Sequence, residues 1–178
     1  MKGMIVVRVD KCLGCKSCEV ACAVEHSDSK DLLKAIHESP APRARVSVEQ
    51  GTGFAIPLQC RHCEDAPCME ICPTKALNRA DKDSPVIIDH DLCIGCKWCI
   101  LACPFGVINL DNENRVITKC DQCFERVERG EKPACVSACP TGALDFKDMK
   151  EILSEKREAT LVQIERGMAG DNKAMANG

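Results

Sequence analysis

Short alternating runs and abrupt breaks, rather than long periodic stretches, organise most of this chain. "MIVVRVD" (Met4–Asp10) alternates and predicts a strand. "SDSKDLLKAIHES" (Ser27–Ser39) predicts a short helix with a polar start, broken by "PAPR" from Pro40. "ARVSVEQGTGFAIPLQC" (Ala44–Cys60) alternates on both sides of "GTG" and predicts a hairpin. "PVIIDHDLC" (Pro85–Cys93) predicts another strand, and "VINLDNENRVITKC" (Val107–Cys120) a hairpin turning at "DNEN". The long amphipathic segment comes last. In "DMKEILSEKREATLVQIERGM" (Asp148–Met168), Met149, Ile152, Leu153, Leu161, Val162 and Ile164 form an imperfect apolar stripe. Asp148 and Glu151 suit a capping box, and Gly167 suits a C-cap. The closing "AGDNKAMANG" is too polar to bury itself and predicts a disordered tail.

Composition changes this picture through one residue type. Sixteen of 178 residues are cysteine, against only four Phe, one Trp and no Tyr. Such a chain is a disulfide scaffold or a metal protein. The first residues lack a signal-peptide pattern and no segment has the apolar length of a membrane span, so the expectation is a cytoplasmic protein without direct membrane insertion. Thiols stay reduced there and act as metal ligands. With few large side chains for a core, bound inorganic groups would fill space. A net charge of −3 without basic stripes argues against nucleic acid.

The cysteines fall into four groups of four: Cys12, Cys15, Cys18 and Cys22; Cys60, Cys63, Cys68 and Cys72; Cys93, Cys96, Cys99 and Cys103; Cys120, Cys123, Cys135 and Cys139. Groups one and three have the C-x2-C-x2-C-x3-C spacing of bacterial iron–sulfur loops, and three groups end in Cys-Pro. Three thiolates two residues apart wrap a loop around a cubane, its N–H groups pointing at sulfur. The fourth thiolate reaches the other cluster of a pair, and proline redirects the chain. Zinc sites pair two C-x2-C units instead. Four complete groups imply four [4Fe–4S] clusters, which lower the net charge to about −11. Lys11, Lys16, Lys97, Lys119 and Arg61 flank the motifs; most read as solvated charge, some as offsets to cluster charge. His62 reads as a hydrogen-bonded structural residue and Trp98 as a shield over a cluster.

"CRHCEDAPC", "CIGCKWCILACPFG", "KCDQC" and "ACVSACPTGAL" resemble the four-cluster ferredoxin-type subunits of dimethyl-sulfoxide reductase, formate dehydrogenase, hydrogenase, carbon-monoxide dehydrogenase and tungsten aldehyde oxidoreductase complexes, over residues 4–147. The resemblance implies an α+β fold of duplicated bacterial two-[4Fe–4S] ferredoxin-like modules, residues 12–22 with 120–139 and residues 60–103, in a domain of residues 1–147. Residues 148–178 form a C-terminal helix and tail. It also implies nested ligands: Cys12, Cys15, Cys18 and Cys139 for cluster A; Cys60, Cys63, Cys68 and Cys103 for B; Cys93, Cys96, Cys99 and Cys72 for C; Cys120, Cys123, Cys135 and Cys22 for D. The sequence itself places groups two and three together, through the ferredoxin-like stretch Pro73–Leu92, and groups one and four by default. Two departures stand out. Group one ends Cys22-Ala23 without proline, so a helix can run on. Group four carries "FERVERGEKPA" before Cys135, a helical turn stopped at Gly130 and restarted at Pro133, on the surface where a partner could dock.

No Gly-rich nucleotide loop or nucleophile–base pair is visible. The expected function is electron transfer, without catalysis, between a cytosolic catalytic subunit and a further redox partner. The catalytic subunit is a carbon-monoxide dehydrogenase, a tungsten or molybdenum aldehyde or formate oxidoreductase, or a hydrogenase. An autonomous iron–sulfur enzyme and a structural zinc module are the alternatives. The terminal helix packs on its own domain, docks on a partner, or mediates self-association.

Overall fold

The computed structural model describes the backbone of residues 3–111 and 115–175, and side chains as far as Met168. The elements are β1 (Met4–Val7), α1 (Ser17–Glu25), α2 (Leu32–Ala35), β2 (Val46–Gly51), β3 (Phe54–Gln59), α3 (Pro67–Glu70), β4 (Leu77–Asn78), β5 (Ile87–Ile88), α4 (Trp98–Ala102), β6 (Asn109–Leu110), β7 (Ile117–Thr118), α5 (Phe124–Glu128), α6 (Ala134–Ser137), β8 (Leu144–Lys147) and α7 (Met149–Met175). This is a small mixed helix-and-strand protein, and each predicted strand and hairpin has a counterpart. The strands pair as β1–β8, β2–β3, β4–β5 and β6–β7. The "DNEN" turn lies largely outside the described residues.

The alternation read from the sequence is the alternation of burial. In β2, Val46 and Val48 point into the core; in β3, Ala55, Pro57 and Gln59 do. The hairpin register runs from Val46↔Gln59 to Gly51↔Phe54, leaving Thr52 and Gly53 as the loop, with Gly53 at φ 81°. Burying each valine contributes about 1.5–3 kcal/mol. In α2, Asp31 caps the helix by accepting the Lys34 N–H at 3.0 Å. The β1–β8 pair joins the two ends of the cysteine-rich region, extended by the Arg8 N–H donating to the Ala143 carbonyl at 2.7 Å.

The chain divides into two units, one over Ile5–Phe146 and one comprising Lys147–Gly178 with Lys2–Met4. The first has two hydrophobic cores. One gathers Cys18, Cys22, Val46, Val48, Ala55, Cys135, Val136 and Leu144. The other gathers Ala66, Cys68, Leu77, Val86, Cys99, Ile108 and Ile117. In the second unit the capping box forms as read. The Glu151 N–H donates to Asp148 Oδ1 at 2.8 Å, and the Asp148 N–H to Glu151 Oε2 at 2.9 Å. The end of α7 corrects the sequence reading. The helix passes Gly167 and continues to Met175, so most of the stretch expected to be a disordered tail is helical. Glycine lowers helix propensity by only about 1 kcal/mol, too little to stop a helix flanked by good formers. Residues 176–178 of that tail lie outside the described residues.

Candidate metal centre

The site is built first from backbone. In the first C-x-x-C pair of each group the residue before the second cysteine is left-handed: Gly14 at φ 67°, His62 at 49°, Gly95 at 68° and Gln122 at 60°. This conformation curls the loop so that its amides face the first sulfur. Cys60 Sγ accepts the His62 N–H, and Cys120 Sγ the Gln122 N–H, each at 3.4 Å. A second left-handed turn follows each Cys-Pro, at Lys75, Gly106 and Gly142. It swings the chain back, and Leu144 N–H donates to Cys139 Sγ at 3.4 Å. Group one lacks the proline, and α1 accordingly runs unbroken through Cys22 to Glu25.

The two cores sort the cysteines. Cys18, Cys22 and Cys135 are buried in the first, with Cys12 and Cys139 packed against it. Cys68 and Cys99 are buried in the second, with Cys63, Cys72, Cys93 and Cys103 packed against it. Cys12, Cys15, Cys18 and Cys139 line one small cavity. Cys60, Cys63, Cys68 and Cys103 line another. Cys120 and Cys123 are buried, and both feel the charge of Cys22. Cys96, like Cys15, is exposed.

Burial dominates the thiol chemistry. It pushes Cys120 and Cys135 far up, Cys123 to about 12, and Cys18 and Cys99 to about 11. Thiols so placed ionise only beside strong positive charge, which bound iron supplies. At the rim the balance reverses. The Ser17 hydroxyl lowers Cys15. In Cys72 and Cys139, burial is outweighed by hydrogen bonds from the following backbone and from Thr74 and Thr141. The fit to an iron–sulfur group is also visible at His62. Its Nδ1 accepts the Val86 N–H at 3.0 Å, which puts the proton on Nε2. That Nε2 is buried without a partner among the described residues, on a side chain that lines the cavity of Cys60, Cys63, Cys68 and Cys103. An unspent donor beside four thiols suits a sulfide-rich group.

Around Cys22 lies a polar network that the sequence reading missed. The Arg45 N–H donates to Cys22 Sγ at 3.2 Å, and its guanidinium to Asp121 Oδ2 at 2.6 Å. Asp121 also binds His26 Nε2 at 3.1 Å and accepts the Cys123 N–H at 2.9 Å. His26 Nδ1 lies 2.7 Å from the Cys22 carbonyl oxygen and 3.7 Å from Cys22 Sγ. Burial disfavours the His26 imidazolium, but Asp121 and Cys22 carry it up to about 9. One clue was present in the sequence: His26 is four residues after Cys22 on a predicted helix, hence on the same face.

Other readings are refined. The hydrogen bond to Val86 fits the structural role read for His62. Trp98 is 54% exposed and shields little. Lys16 pairs with Glu19 at 3.6 Å, and Arg61 stacks 5.3 Å from the Phe105 ring centre. Lys119 is the exception to solvated charge, at 2% exposure. The group-four insertion folds as α5, a turn at Gly130 and α6 after Pro133. Arg126 within it is not a free surface charge. It clamps Glu25 of α1 at 2.9 Å and Glu131 at 3.0 Å.

Among the described residues no helix is long and apolar enough to cross a membrane. Known proteins match this chain nearly end to end. The 4Fe-4S dicluster domain family matches residues 52–149, and a 4Fe-4S binding domain matches residues 9–25. An iron-sulfur protein of Rhodospirillum rubrum is 43% identical over 173 residues, covering 90% of both chains. The electron transport protein HydN of Escherichia coli K12 is 37% identical over 178 residues, covering 90% of this chain and 98% of its own. The B subunit of the anaerobic dimethyl sulfoxide reductase of the same strain is 37% identical over 151 residues, covering 80% of this chain and 71% of its own. With the cysteine loops, their buried thiols and these matches in hand, the chain belongs to the family of multi-cluster ferredoxin-type iron–sulfur electron-transfer subunits.

Proposed function

We propose that this chain is a non-catalytic relay holding four [4Fe–4S] clusters with nested ligands. Cys12, Cys15, Cys18 and Cys139 hold cluster A, and Cys60, Cys63, Cys68 and Cys103 cluster B. Cys72, Cys93, Cys96 and Cys99 hold cluster C, and Cys22, Cys120, Cys123 and Cys135 cluster D. Bound clusters supply one-electron chemistry, their potentials set by burial, charge and hydrogen bonds to sulfur. The carrying observation is the sorting of cysteines: groups one and four meet in one core, groups two and three in the other. The exposed Cys15 and Cys96 mark where electrons enter and leave, beside the exposed Leu13 and Ile94. The partner is a catalytic oxidoreductase subunit, as the similarity to one subunit of the dimethyl sulfoxide reductase supports. Reduced thiols favour the cytoplasm, and so a cytosolic catalytic subunit acting on carbon monoxide, an aldehyde, formate or hydrogen.

Anaerobic purification from the native source tests this reading. About sixteen iron and sixteen sulfide per chain are expected, with an oxidoreductase subunit co-purifying. Zinc without a brown chromophore would sink it. The pairing has its own test. Cys139→Ala and Cys15→Ala should abolish the same paramagnetic signal and Cys135→Ala a different one; loss of one signal by Cys139→Ala and Cys135→Ala would mean each group holds its own cluster.

A further inference from the structure

Lys119 is 2% exposed, the largest of the fully buried side chains. It immediately precedes Cys120, on the strand side of group four. Its ammonium donates to the Cys120 carbonyl at 2.8 Å and crosses to the Val86 carbonyl, in the module of groups two and three. The side chain therefore sits at the seam between modules. There a cleft of about 330 Å³ is lined by Ile87 and Ile88 on one side and Cys120 and Asp121 on the other, with Lys119 between.

A buried ammonium needs negative charge nearby, because desolvation costs more than neutral acceptors return. Among the described residues the Lys119 hydrogen-bond acceptors are two neutral carbonyls. Sulfur sites that become anionic when they hold iron adjoin Lys119 on both sides of the seam. Val86, whose carbonyl Lys119 binds, lines the cavity of Cys60, Cys63, Cys68 and Cys103, and the buried Cys120 is the next residue on the other side. Lys119 also reaches His62, which lines that same cavity, through one shared peptide. The Val86 peptide links the two residues, its carbonyl bound to Lys119 and its N–H to His62.

We propose that Lys119 is a shared counter-cation between the sulfur sites built around Cys68 and Cys120, raising the reduction potentials of clusters B and D together at the midpoint of the relay. This rests on the four-cluster reading above. A cation held between two anionic centres stabilises the extra electron on either one. It thereby eases transfer across the only seam that no exchanged cysteine spans in the nested scheme.

The competing role is a purely mechanical strap between two carbonyls, and the test separates them. The full-length chain is purified anaerobically as wild type, Lys119→Gln, Lys119→Met and Lys119→Arg. Cluster potentials are read by paramagnetic resonance during redox titration, beside iron content. In Lys119→Gln and Lys119→Met two of the four potentials should fall by at least a tenfold change in reduction equilibrium, 59 mV for one electron. The other two should move by less than half as much, and Lys119→Arg should stay near wild type. Neutral variants that lose iron while Lys119→Arg keeps it also support the counter-cation. Unchanged potentials, an equal shift of all four, or iron loss in all three variants overturns it. A wild-type chain without four cluster signals would instead overturn the relay reading beneath it.

Discussion

At Gly95 two constraints coincide. Its φ of 68° is left-handed, and a Cβ there would lie 2.1 Å from the Arg115 carbonyl oxygen. Gly130 is also left-handed, at 79°, but a Cβ would meet open space. Gly95→Ala should therefore cost well over the ~1 kcal/mol that φ alone imposes. Thermal melts of the holoprotein should show Gly130→Ala losing a few degrees and Gly95→Ala losing iron. Equal losses would mean the Arg115 backbone simply moves aside. Asp121 is the second decisive residue, joining Arg45 and His26 and receiving the Cys123 N–H. Asp121→Ala strands charged donors and should cost about 1–3 kcal/mol. A chelator should strip one cluster's worth of iron from that variant first. Uniform loss from all sites would place the network's effect elsewhere.

At the scale of elements, the group-four insertion shows how charge can anchor rather than advertise. Arg126 reaches Glu25, Glu131 and the Lys132 carbonyl, whereas the half-exposed Arg129 pairs with the nearby Glu131. Arg126→Ala should lower the denaturation midpoint by the equivalent of about 1–2 kcal/mol, and Arg129→Ala should leave it nearly unchanged. Equal effects would contradict the clamp. Legibility follows the same division. The β2–β3 hairpin was readable because alternation and a Gly-rich turn agree, and the run of α1 through Cys22 because proline is missing. The left-handed Gly14 and Gly95 were likewise visible as glycines. His62 and Gln122 adopt the same turn without that signal. Lys119 beside a cysteine looks like surface charge, since burial depends on the distant Val86. Arg45 and Asp121 meet across 76 residues, a distance that local pattern does not encode.

The whole molecule lacks the large side chains that ordinarily build a core of this size. Among the described residues no aromatic is fully buried; Phe54, Phe105, Phe124 and Trp98 are all exposed. The cores instead combine Cys with Ala, Val, Ile and Leu around the thiol cavities. With their sulfurs unligated, these cores would bury little area and leave several thiols against each other. Cluster assembly is then folding energy, as in other small metal domains. Anaerobic iron chelation should bleach the protein and remove its far-ultraviolet ellipticity in a single step, with no cooperative melt remaining in the apo chain. The expected exception is α7. It holds 27 residues and its own capping box, enough length for partial helicity without a core. The residual helical signal of the apo chain should therefore vanish when the chain is ended at Lys147. An apo protein that keeps near-native ellipticity and melts cooperatively would show that the polypeptide packs on its own and the clusters merely occupy it.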